Sequence, residues 1–418
     1  MILTAVILLL LVLLGAPLFS IIAASALLGF RQSEIDLSVV GIEFFGIAEM
    51  PILLAIPLFT FAGFILGEGG APRRLVRLSR ALLGWLPGGL GMLAIIVCAL
   101  FTAFTGASGV TIIALGALFV PALAQAGYAE RFNLGLITAS GSLGLLFAPS
   151  LPLILYGVVA EQPIDALFLA GLLPGTVMIA ALCLYCYYQN RHLRIQTDAV
   201  SGGEIARALL EAKWELPLPV VVLGGIYSGY FAVSEAAAVT TMYVLIVEFV
   251  MLREIPLRTL PTIMRESMVL VGAIFVILGM SLASTNYMID VGVPQQLFGL
   301  ISQYVETNTG FLIALLLFLL ALGAILDIFS AIVLVVPLML PVAMEYGIDP
   351  IHLGIVFLAA MELGYLTPPV GLNLFISSHR FDKDVTEIYL ATFPFLLVLF
   401  VSVVIIAFWP ALSLFLIG

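Results

Sequence analysis

The chain has 418 residues, of which 63% are hydrophobic and 10% are charged. A soluble domain carries roughly 25% charged residues, so this composition excludes a soluble protein with a water-facing surface of normal size. The net charge of −10 identifies no partner, because membrane topology depends on where Lys and Arg lie and not on their sum. We expect no nucleic-acid partner.

The chain begins with an apolar run over residues 1–30, and about 20 apolar residues suffice to span a bilayer. This run lacks a basic n-region and a small-residue cleavage site with a mature domain behind it. We therefore expect a retained span and not a cleaved signal peptide. Pro17 and Gly29 allow either one long kinked span or two short ones.

Basic residues occur in clusters, and several loops between them carry only acids. Four arginines lie within residues 73–80, and no Lys or Arg lies between Arg265 and Arg380. We take the first cluster to be cytoplasmic. The positive-inside rule then requires every later cluster to be cytoplasmic too. This holds only if the apolar stretches 91–120 and 311–340 both enter the membrane and return to the side from which they came. The predicted spans are then 134–160, a return from Glu161 to Arg191, 217–232, 234–252, 266–285 and 353–378, with a C-terminal span in 381–418.

An internal repeat is visible at an offset of 220 residues. The matched positions are Pro121 and Pro341, Gly127 and Gly347, Leu143-Gly144 and Leu363-Gly364, Leu146 and Leu366, and Pro149 and Pro369. The first copy begins inside and the second outside, so the two copies are inverted. Inverted repeats with broken helices at mid-membrane are typical of secondary transporters, whose sites lie at the repeat interface. The repeat therefore predicts a transporter and not a channel or receptor.

Each copy contains a helix that is broken in its middle, at residues 141–152 and 362–373. Prolines at these positions lack an N–H donor, and the carbonyls that they free cost several kcal/mol each in hydrocarbon unless they face a cavity, a neighbour or an ion. Such carbonyls, with the Thr367 hydroxyl, suit a dehydrated alkali cation, and the half-helix N-termini suit a carboxylate. The alternative is a proline kink with structural water. The sequence predicts an all-α polytopic membrane protein with two re-entrant helical hairpins and two broken transmembrane helices.

The predicted hairpin tips carry small, hydroxylated and acidic residues. The first tip is residues 105–111 and the second surrounds Asp327. For the first, tight helix packing through small residues is the alternative to ligand binding. Asp327 and Glu362 are ionisable groups in apolar sequence and so are functional candidates, with the capping of broken backbone as the alternative. For Glu235, a structural role at a helix start is favoured.

An ordered series of motifs runs through nearly the whole chain. It comprises Pro57-Leu58-Phe59 with Gly63, Arg73-Arg74-Leu75, Leu86-Pro87-Gly88-Gly89, Gly106–Gly109, residues 139–144, Pro149-Ser150-Leu151-Pro152 with Tyr156-Gly157, residues 170–175, Glu235-Ala236-Ala237-Ala238, Leu326-Asp327 and residues 366–373. This series resembles the large membrane subunit of TRAP (tripartite ATP-independent periplasmic) carboxylate transporters. Two departures are Thr-Gly-Ala-Ser at residues 105–108, where many relatives have Ser-Gly-Ser-Ser, and Ala148-Pro149, where many have two prolines.

The resemblance implies an elevator-type carrier of the bacterial inner membrane that couples sodium entry to import of an organic acid. It implies two sodium sites, formed by Thr105, Ser108, Gly144, Phe147 and Pro149, and by Gly323, Gly364, Thr367 and Val370, with sodium as the only metal. The candidate substrate-binding residues are Ser108, Ser140, Ser142, Asp327 and Asn373. No catalytic residue and no cofactor besides the sodium ions is expected.

The resemblance also implies a division of the chain and two protein partners. Residues 1–90 would form scaffold spans and a cytoplasmic arm, 91–175 the first transport repeat, 176–310 further scaffold spans and arm, 311–380 the second transport repeat, and 381–418 the C-terminal span. A periplasmic binding protein would deliver the acid. A small membrane subunit on a separate chain would pair with the scaffold.

The residues alone leave three other interpretations of the function open. A stand-alone sodium-coupled dicarboxylate symporter differs in needing no binding protein. An intramembrane serine protease fits Gly106-Ala107-Ser108-Gly109, but it needs a histidine near Ser108, and His192, His352 and His379 are all predicted near a membrane surface. A non-transporting scaffold leaves the repeated breaks unexplained.

Cys183 and Cys186 form a C-x-x-C that we interpret as buried small residues rather than a redox or metal pair.

Overall fold

The computed structural model describes residues 8, 10–11, 14–83, 88–191 and 202–418. Within these ranges the regular secondary structure is helical, with no strand. Seven of the described helices are long and apolar enough to cross a membrane, and a bent helix pair brings the number to as many as eight. The prediction of an all-α polytopic membrane protein is confirmed. The start of the predicted N-terminal span, Leu86-Pro87 and His192 lie outside the described residues.

The described N-terminal residues form four α-helices, with two short 3₁₀ helices between the second and the third. The four α-helices are α1 (Leu18–Gln32), α2 (Ser38–Gly46), α3 (Ala55–Glu68) and α4 (Ala71–Leu83). Helix α4 carries the first arginine cluster and has one polar and one apolar face, as expected of a helix that lies at a surface. Arg74 on α4 is largely buried and contacts Glu215, Glu248 and Glu254. This ion network ties α4 to residues 215 and 248–254 within the middle part of the chain.

The first repeat forms a helical hairpin followed by a bent helix pair. Its elements are α5 (Gly89–Thr105), α6 (Ser108–Gln125), α7 (Glu130–Ser140), a 3₁₀ turn (Leu143–Leu146) and α8 (Leu151–Val159). The hairpin turns at Gly106, whose φ of +65° is a left-handed conformation that favours glycine. Helices α7 and α8 meet at a bend of 43°, where Pro149 and Pro152 stand. The helix break predicted at residues 141–152 is confirmed.

The middle part connects the repeats. It contains α9 (Ile164–Asn190), α10 (Gly202–Glu211), α11 (Pro217–Tyr227), α12 (Val233–Leu245) with a π turn (Ile246–Met251), α13 (Leu260–Asp290) and α14 (Val293–Ile301). The backbone N–H of Ala232 donates to Glu235 Oε2 at 2.9 Å, so Glu235 does cap the start of α12. Cys183 and Cys186 are free thiols on α9, and Cys186 is buried.

The second repeat has the same order of α-helices as the first. It consists of α15 (Asn308–Gly323), α16 (Ile328–Glu345), α17 (Pro350–Gly364) and α18 (Leu372–Phe381), and it is followed by α19 (Val385–Phe408) and α20 (Ala411–Leu414). The peptide bonds that precede Pro149 and Pro369 are both cis. Every residue of α17 from His352 to Gly364 is buried, as is every residue of α7 from Phe132 to Ser140. The two broken helices therefore occupy the centre of the protein.

Candidate functional site

A cavity of about 470 Å³ lies where both hairpin tips meet helices of the N-terminal and middle parts. Its walls comprise Gly106–Val110 of the first tip, Asp327–Phe329 of the second, Tyr365 and Leu372 beside the second helix break, and apolar residues of α3 and α13. Ser108, Asp327 and Tyr365 are the polar side chains of this lining in the described part of the chain. The cavity thus joins both repeats to the remainder of the protein, as expected of a site at a repeat interface.

The first tip presents unpaired hydrogen-bond donors. In the described residues, the N–H groups of Ser108, Gly109 and Val110 at the start of α6 have no acceptor, and no side chain caps this helix end. The first N–H groups of a helix point out along its axis and favour an anion. The Ser108 residue is only 4% exposed, and its hydroxyl makes no hydrogen bond within the described part. This tip can therefore accept an anion from the cavity side.

At the second tip the corresponding donors are already used. The carboxylate of Asp327 accepts the backbone N–H groups of Phe329 and Ser330, each at 3.0 Å, and the Ser330 hydroxyl at 2.5 Å. The N–H of Ile328 donates to the phenolic oxygen of Tyr365 at 2.7 Å. Asp327 thus caps α16, which was the structural alternative for this residue, and it also lines the cavity.

The residues predicted for the first sodium site come together around the first hairpin. Thr105 ends α5 and Ser108 begins α6, while Gly144 lies in the 3₁₀ turn that packs on α5. A side chain at Gly144 would collide with the backbone of Ala99 and Ala103, so only glycine allows this close approach. Pro149 follows the turn. The Phe147 ring instead points away, towards Gly175 of α9, so that only its backbone can serve the site.

The residues predicted for the second sodium site form an equally close contact. A Cβ atom at Gly364 would lie 2.6 Å from the Cα of Gly323, so these two glycines bring the second hairpin directly against the second broken helix. The N–H of Val370 donates to the Ala324 carbonyl at 3.1 Å. The Thr367 hydroxyl lies 3.0 Å from the Leu363 carbonyl. All four predicted residues therefore lie in one small region of irregular backbone.

Three of the predicted substrate-binding residues do not line the cavity. Ser140, Ser142 and Asn373 are almost completely buried. The Asn373 amide donates to the Thr138 carbonyl and to the Ser142 hydroxyl, each at 3.3 Å, and the Ser140 hydroxyl bonds the carbonyl of Leu136 in its own helix. The two bonds of the Asn373 amide join the two broken helices to each other. Of the five predicted residues, Ser108 and Asp327 are the two that the structure brings to the cavity.

Glu362, the other ionisable candidate, is 1% exposed and lies away from the cavity lining. Neither of its carboxyl oxygens has a hydrogen-bond partner in the described part of the chain. It does not cap the helix break, which was the structural alternative proposed for it.

The protease reading has no support in the described residues. The ring nitrogens of His352 lie 3.2 Å from the Ser413 hydroxyl and from the Ala407 carbonyl. His379 lines a different surface pocket from Ser108. Neither histidine forms a hydrogen bond with Ser108 in the described part of the chain, so neither is positioned to activate it as a nucleophile.

The sequence did not single out Tyr365, Phe64 or Ile274. Tyr365 lies inside the second break motif, shortly before two consecutive prolines. This placement is the sequence feature that could have identified it as a site residue. Phe64 on α3 and Ile274 on α13 line the cavity from ordinary apolar helices, which carry no local signal of a site.

Comparison with known proteins decides the family. The family model described as "Tripartite ATP-independent periplasmic transporter, DctM component" matches residues 5–412. The chain belongs to this family. It is 32% identical over 400 residues to the C4-dicarboxylate TRAP transporter large permease protein DctM of Rhodobacter capsulatus, an alignment that covers 92% of this chain and 91% of that protein. It is also 30% identical over 411 residues to the ectoine/5-hydroxyectoine TRAP transporter large permease protein UehC of Ruegeria pomeroyi, with 97% and 96% covered.

A solved structure supports the fold. The crystal structure of the Alcanivorax borkumensis YdaH transporter aligns with a TM-score of 0.56 and 15% identity, covering 90% of this chain and 88% of that one. At this identity the likeness concerns the fold alone. Membership of the TRAP family confirms the predicted identity as a large permease subunit, a multi-pass protein of the inner membrane and a transporter rather than an enzyme.

Proposed function

We propose that this TRAP permease imports an organic acid at the expense of a sodium gradient, by an elevator movement of the two hairpin–helix units against the remaining helices. The observation that carries this proposal is the pairing of each hairpin with a broken helix at repeat-equivalent positions. The relatives named above carry the names of different substrates, C4-dicarboxylate and ectoine. Family membership therefore supports small acids as a class without choosing one.

The chemistry of the two breaks supports sodium as the coupling ion. Sodium needs several oxygen ligands, and irregular backbone next to Thr105 and Thr367 offers carbonyl and hydroxyl oxygens without a formal charge. Gly144 and Gly364 bring each broken helix within contact of its hairpin. An ion bound between the two elements would hold them together. Binding of substrate and sodium at one tip would thereby become interdependent.

The contact between α3 and the first hairpin supports the elevator mechanism. A Cβ atom at Gly63 would lie 2.6 Å from the carbonyl oxygen of Phe104 and from the Cα of Thr105. Glycine lets the two backbones approach closely, and at Gly63 no side chain projects into the hairpin. In this proposal α3 and α13 belong to the static part. A small membrane subunit would pack against that part, and a periplasmic binding protein would supply the acid.

Thermal stability in sodium tests the proposal. A ligand that binds only the folded state stabilises it by RT ln(1 + [L]/Kd), which is roughly 1.4 kcal/mol at ten times Kd. We expect a higher Tm of the purified subunit in sodium than in potassium at equal ionic strength. Thr367→Ala should reduce this difference, and Asp327→Asn and Thr367→Ala should each reduce transport while membrane insertion stays normal.

Thr176→Ala is the matched control. The Thr176 hydroxyl makes the same bond to a carbonyl four residues earlier, 2.7 Å from Leu172, but on the surface of α9. The control should leave the sodium effect unchanged. Equal Tm values in both salts, with normal uptake by both site variants, would contradict the sodium sites. Uptake that needs no binding protein would favour a stand-alone symporter.

A further inference from the structure

The cavity between the hairpin tips (the central cavity) has a neighbour of about 580 Å³. The described residues that line this second cavity are Ile113 on α6 and Phe375, Ile376, His379 and Arg380 on α18. Ile113 and Ile376 also line the central cavity. The two cavities therefore meet at this pair of side chains, and α6 and α18 contribute to the walls of both.

The second cavity lies on the cytoplasmic side of the central one. Helix α18 begins beside the second helix break, where Leu372 lines the central cavity, and Arg380 stands eight residues further along. At 1.5 Å per residue this is an axial distance of about 12 Å. Beyond the end of α18, Lys383 forms an ion pair with Glu130 at 2.7 Å, which brings the start of α7 to the same face. Arg131, Arg380 and Lys383 make this face basic, so the positive-inside rule places it in the cytoplasm.

The lining of the second cavity is basic at this end. The Arg380 Nε donates to the Ile113 carbonyl at 3.1 Å, which fixes the guanidinium beside the junction of the two cavities. Among the described residues, no carboxylate forms an ion pair with Arg380 or His379, and the lining contains no acidic side chain. A guanidinium offers paired donors that match a carboxylate, and its field raises the local concentration of anions.

The junction itself is apolar and is in contact with the first hairpin tip. A Cβ atom at Gly109 would lie 2.9 Å from the Cδ1 atom of Ile376, so the tip packs directly against this side chain. Ile113 and Phe375 are 51% and 47% exposed. Apolar side chains offer a carboxylate no hydrogen bond, so an acid that passes them is held only when it reaches Arg380.

From these contacts we propose that a passage for the organic acid runs between α6 and α18 from the central cavity to the cytoplasm. Ile113 and Ile376 form its apolar junction. Arg380, with His379 beside it, forms a carboxylate-binding station at its cytoplasmic mouth. This inference rests on the proposed function, since it describes the way out for the imported acid.

Two thiol reagents of opposite charge test the station without knowledge of the substrate. They are 2-sulfonatoethyl methanethiosulfonate, a small organic anion, and 2-(trimethylammonium)ethyl methanethiosulfonate, a cation. Ile113→Cys is made in the full-length chain with its native cysteines replaced, and the protein is placed in lipid nanodiscs. We expect both reagents to react. Arg380→Gln should lower the ratio of the anionic to the cationic rate at least about threefold, because the local excess of anions is lost.

The controls separate this local charge from fold stability. A basic residue in the last turn of a helix also stabilises that helix, so the Tm alone would not decide. Arg380→Lys keeps the charge and should keep most of the rate ratio. Arg131→Gln removes an exposed charge from the same face but outside the second cavity, and it should leave the ratio unchanged. Added salt should reduce the effect of Arg380 by screening.

A second cysteine tests the passage. Leu372→Cys lies in the central cavity, and Ile113→Trp should slow its reaction with the anionic reagent at least about tenfold if the bulkier ring fills the junction. Ile405→Trp is the control, because Ile405 is an exposed residue of α19 that lines neither cavity. It should leave the rate at position 372 unchanged.

The passage is contradicted if Ile113→Cys reacts with neither reagent, since lipid then covers this face, or if Ile113→Trp leaves the rate at position 372 unchanged. The station is contradicted if Arg380→Gln leaves the rate ratio unchanged, or if Arg131→Gln lowers it equally. The sodium-dependent rise in Tm is measured on the same variants. Its absence from the wild type would contradict the proposed function instead, and it would not alter the reaction rates that decide the passage.

Discussion

The backbone N–H of Ile328 and the phenolic oxygen of Tyr365 are 2.7 Å apart. This bond connects the tip of the second hairpin to the break of the second broken helix. Tyr365 also lines the cavity beside Asp327. The Tyr365 side chain therefore contacts the proposed substrate space, and it stands two residues before Thr367 of the proposed ion site. A change at either place can be transmitted to the other through this side chain.

Replacement of Tyr365 by Phe should weaken this connection. The Ile328 N–H would lose its acceptor in a buried position, which costs about 1–3 kcal/mol. We expect a lower Tm, a smaller sodium-dependent rise in Tm and slower uptake. Tyr346→Phe is the control, because the Tyr346 hydroxyl bonds the Val305 carbonyl at 2.7 Å near the far end of the same hairpin. If both variants lose stability but keep the wild-type sodium response, Tyr365 has a purely structural role.

A methyl group at Gly364 should separate the second hairpin from its broken helix. The added Cβ would lie 2.6 Å from the Cα of Gly323 and 2.7 Å from its carbonyl carbon. Backbone cannot move aside as a flexible side chain can, and overpacking of this kind typically costs about 1–3 kcal/mol. We expect Gly364→Ala to lower the Tm and to abolish the sodium response. Gly272→Ala is the control, because nothing lies within 4 Å of its Cβ position; equal behaviour of the two variants would contradict the close contact.

The helix breaks were predictable because proline lacks an N–H donor in any tertiary setting, and because two prolines stand close together within residues 149–152 and again at 368–369. The directions in which the side chains of Ser142 and Asn373 point were not predictable from the sequence. They depend on how the two broken helices cross, and that crossing depends on bend angles that the sequence does not state. The position of Ile274 in the cavity wall was not predictable for another reason. An apolar helix in a membrane protein uses the same residue types against lipid, protein and cavity, so hydrophobicity does not distinguish its faces.

Loss of Arg74 should destabilise the protein far more than loss of Arg77. The Arg74 side chain is 12% exposed and those of its partners Glu215 and Glu248 are 6% and 0% exposed, so Arg74→Met leaves buried carboxylates without their cation. Breaking a buried pair costs about 3–5 kcal/mol. Arg77→Met removes only an exposed pair with Glu211, which is worth about 0–1 kcal/mol. Thermal unfolding of both variants compares them directly; similar losses would show that the Arg74 network contributes little.

The contribution of Glu254 to this network should disappear in acid. Burial raises the pKa of Glu254, but the hydrogen bond and charge of the Arg74 guanidinium outweigh burial and leave that pKa below its usual value of 4.5. A carboxyl group with a lowered pKa stabilises the fold above its unfolded-state pKa, and this stabilisation is lost as the pH falls through the folded-state pKa. Wild type should therefore exceed Glu254→Gln in Tm at pH 7, with the difference shrinking below about pH 4.5. A difference that stays constant into acid would contradict the ion pair as its source.

The inverted topology predicts that α4 and α14 lie on opposite sides of the membrane. Each is a short helix with proline at its second position, and each precedes a hairpin of its repeat. Single cysteines at Arg77 and Gln295, both exposed, in a chain whose three native cysteines are replaced, should react with a membrane-impermeant maleimide from opposite faces. Because α4 carries the basic cluster, the cysteine at position 77 should react from the cytoplasmic face. Reaction of both from one face would mean that the repeats are parallel, and the two hairpins could not then enter the membrane from opposite sides.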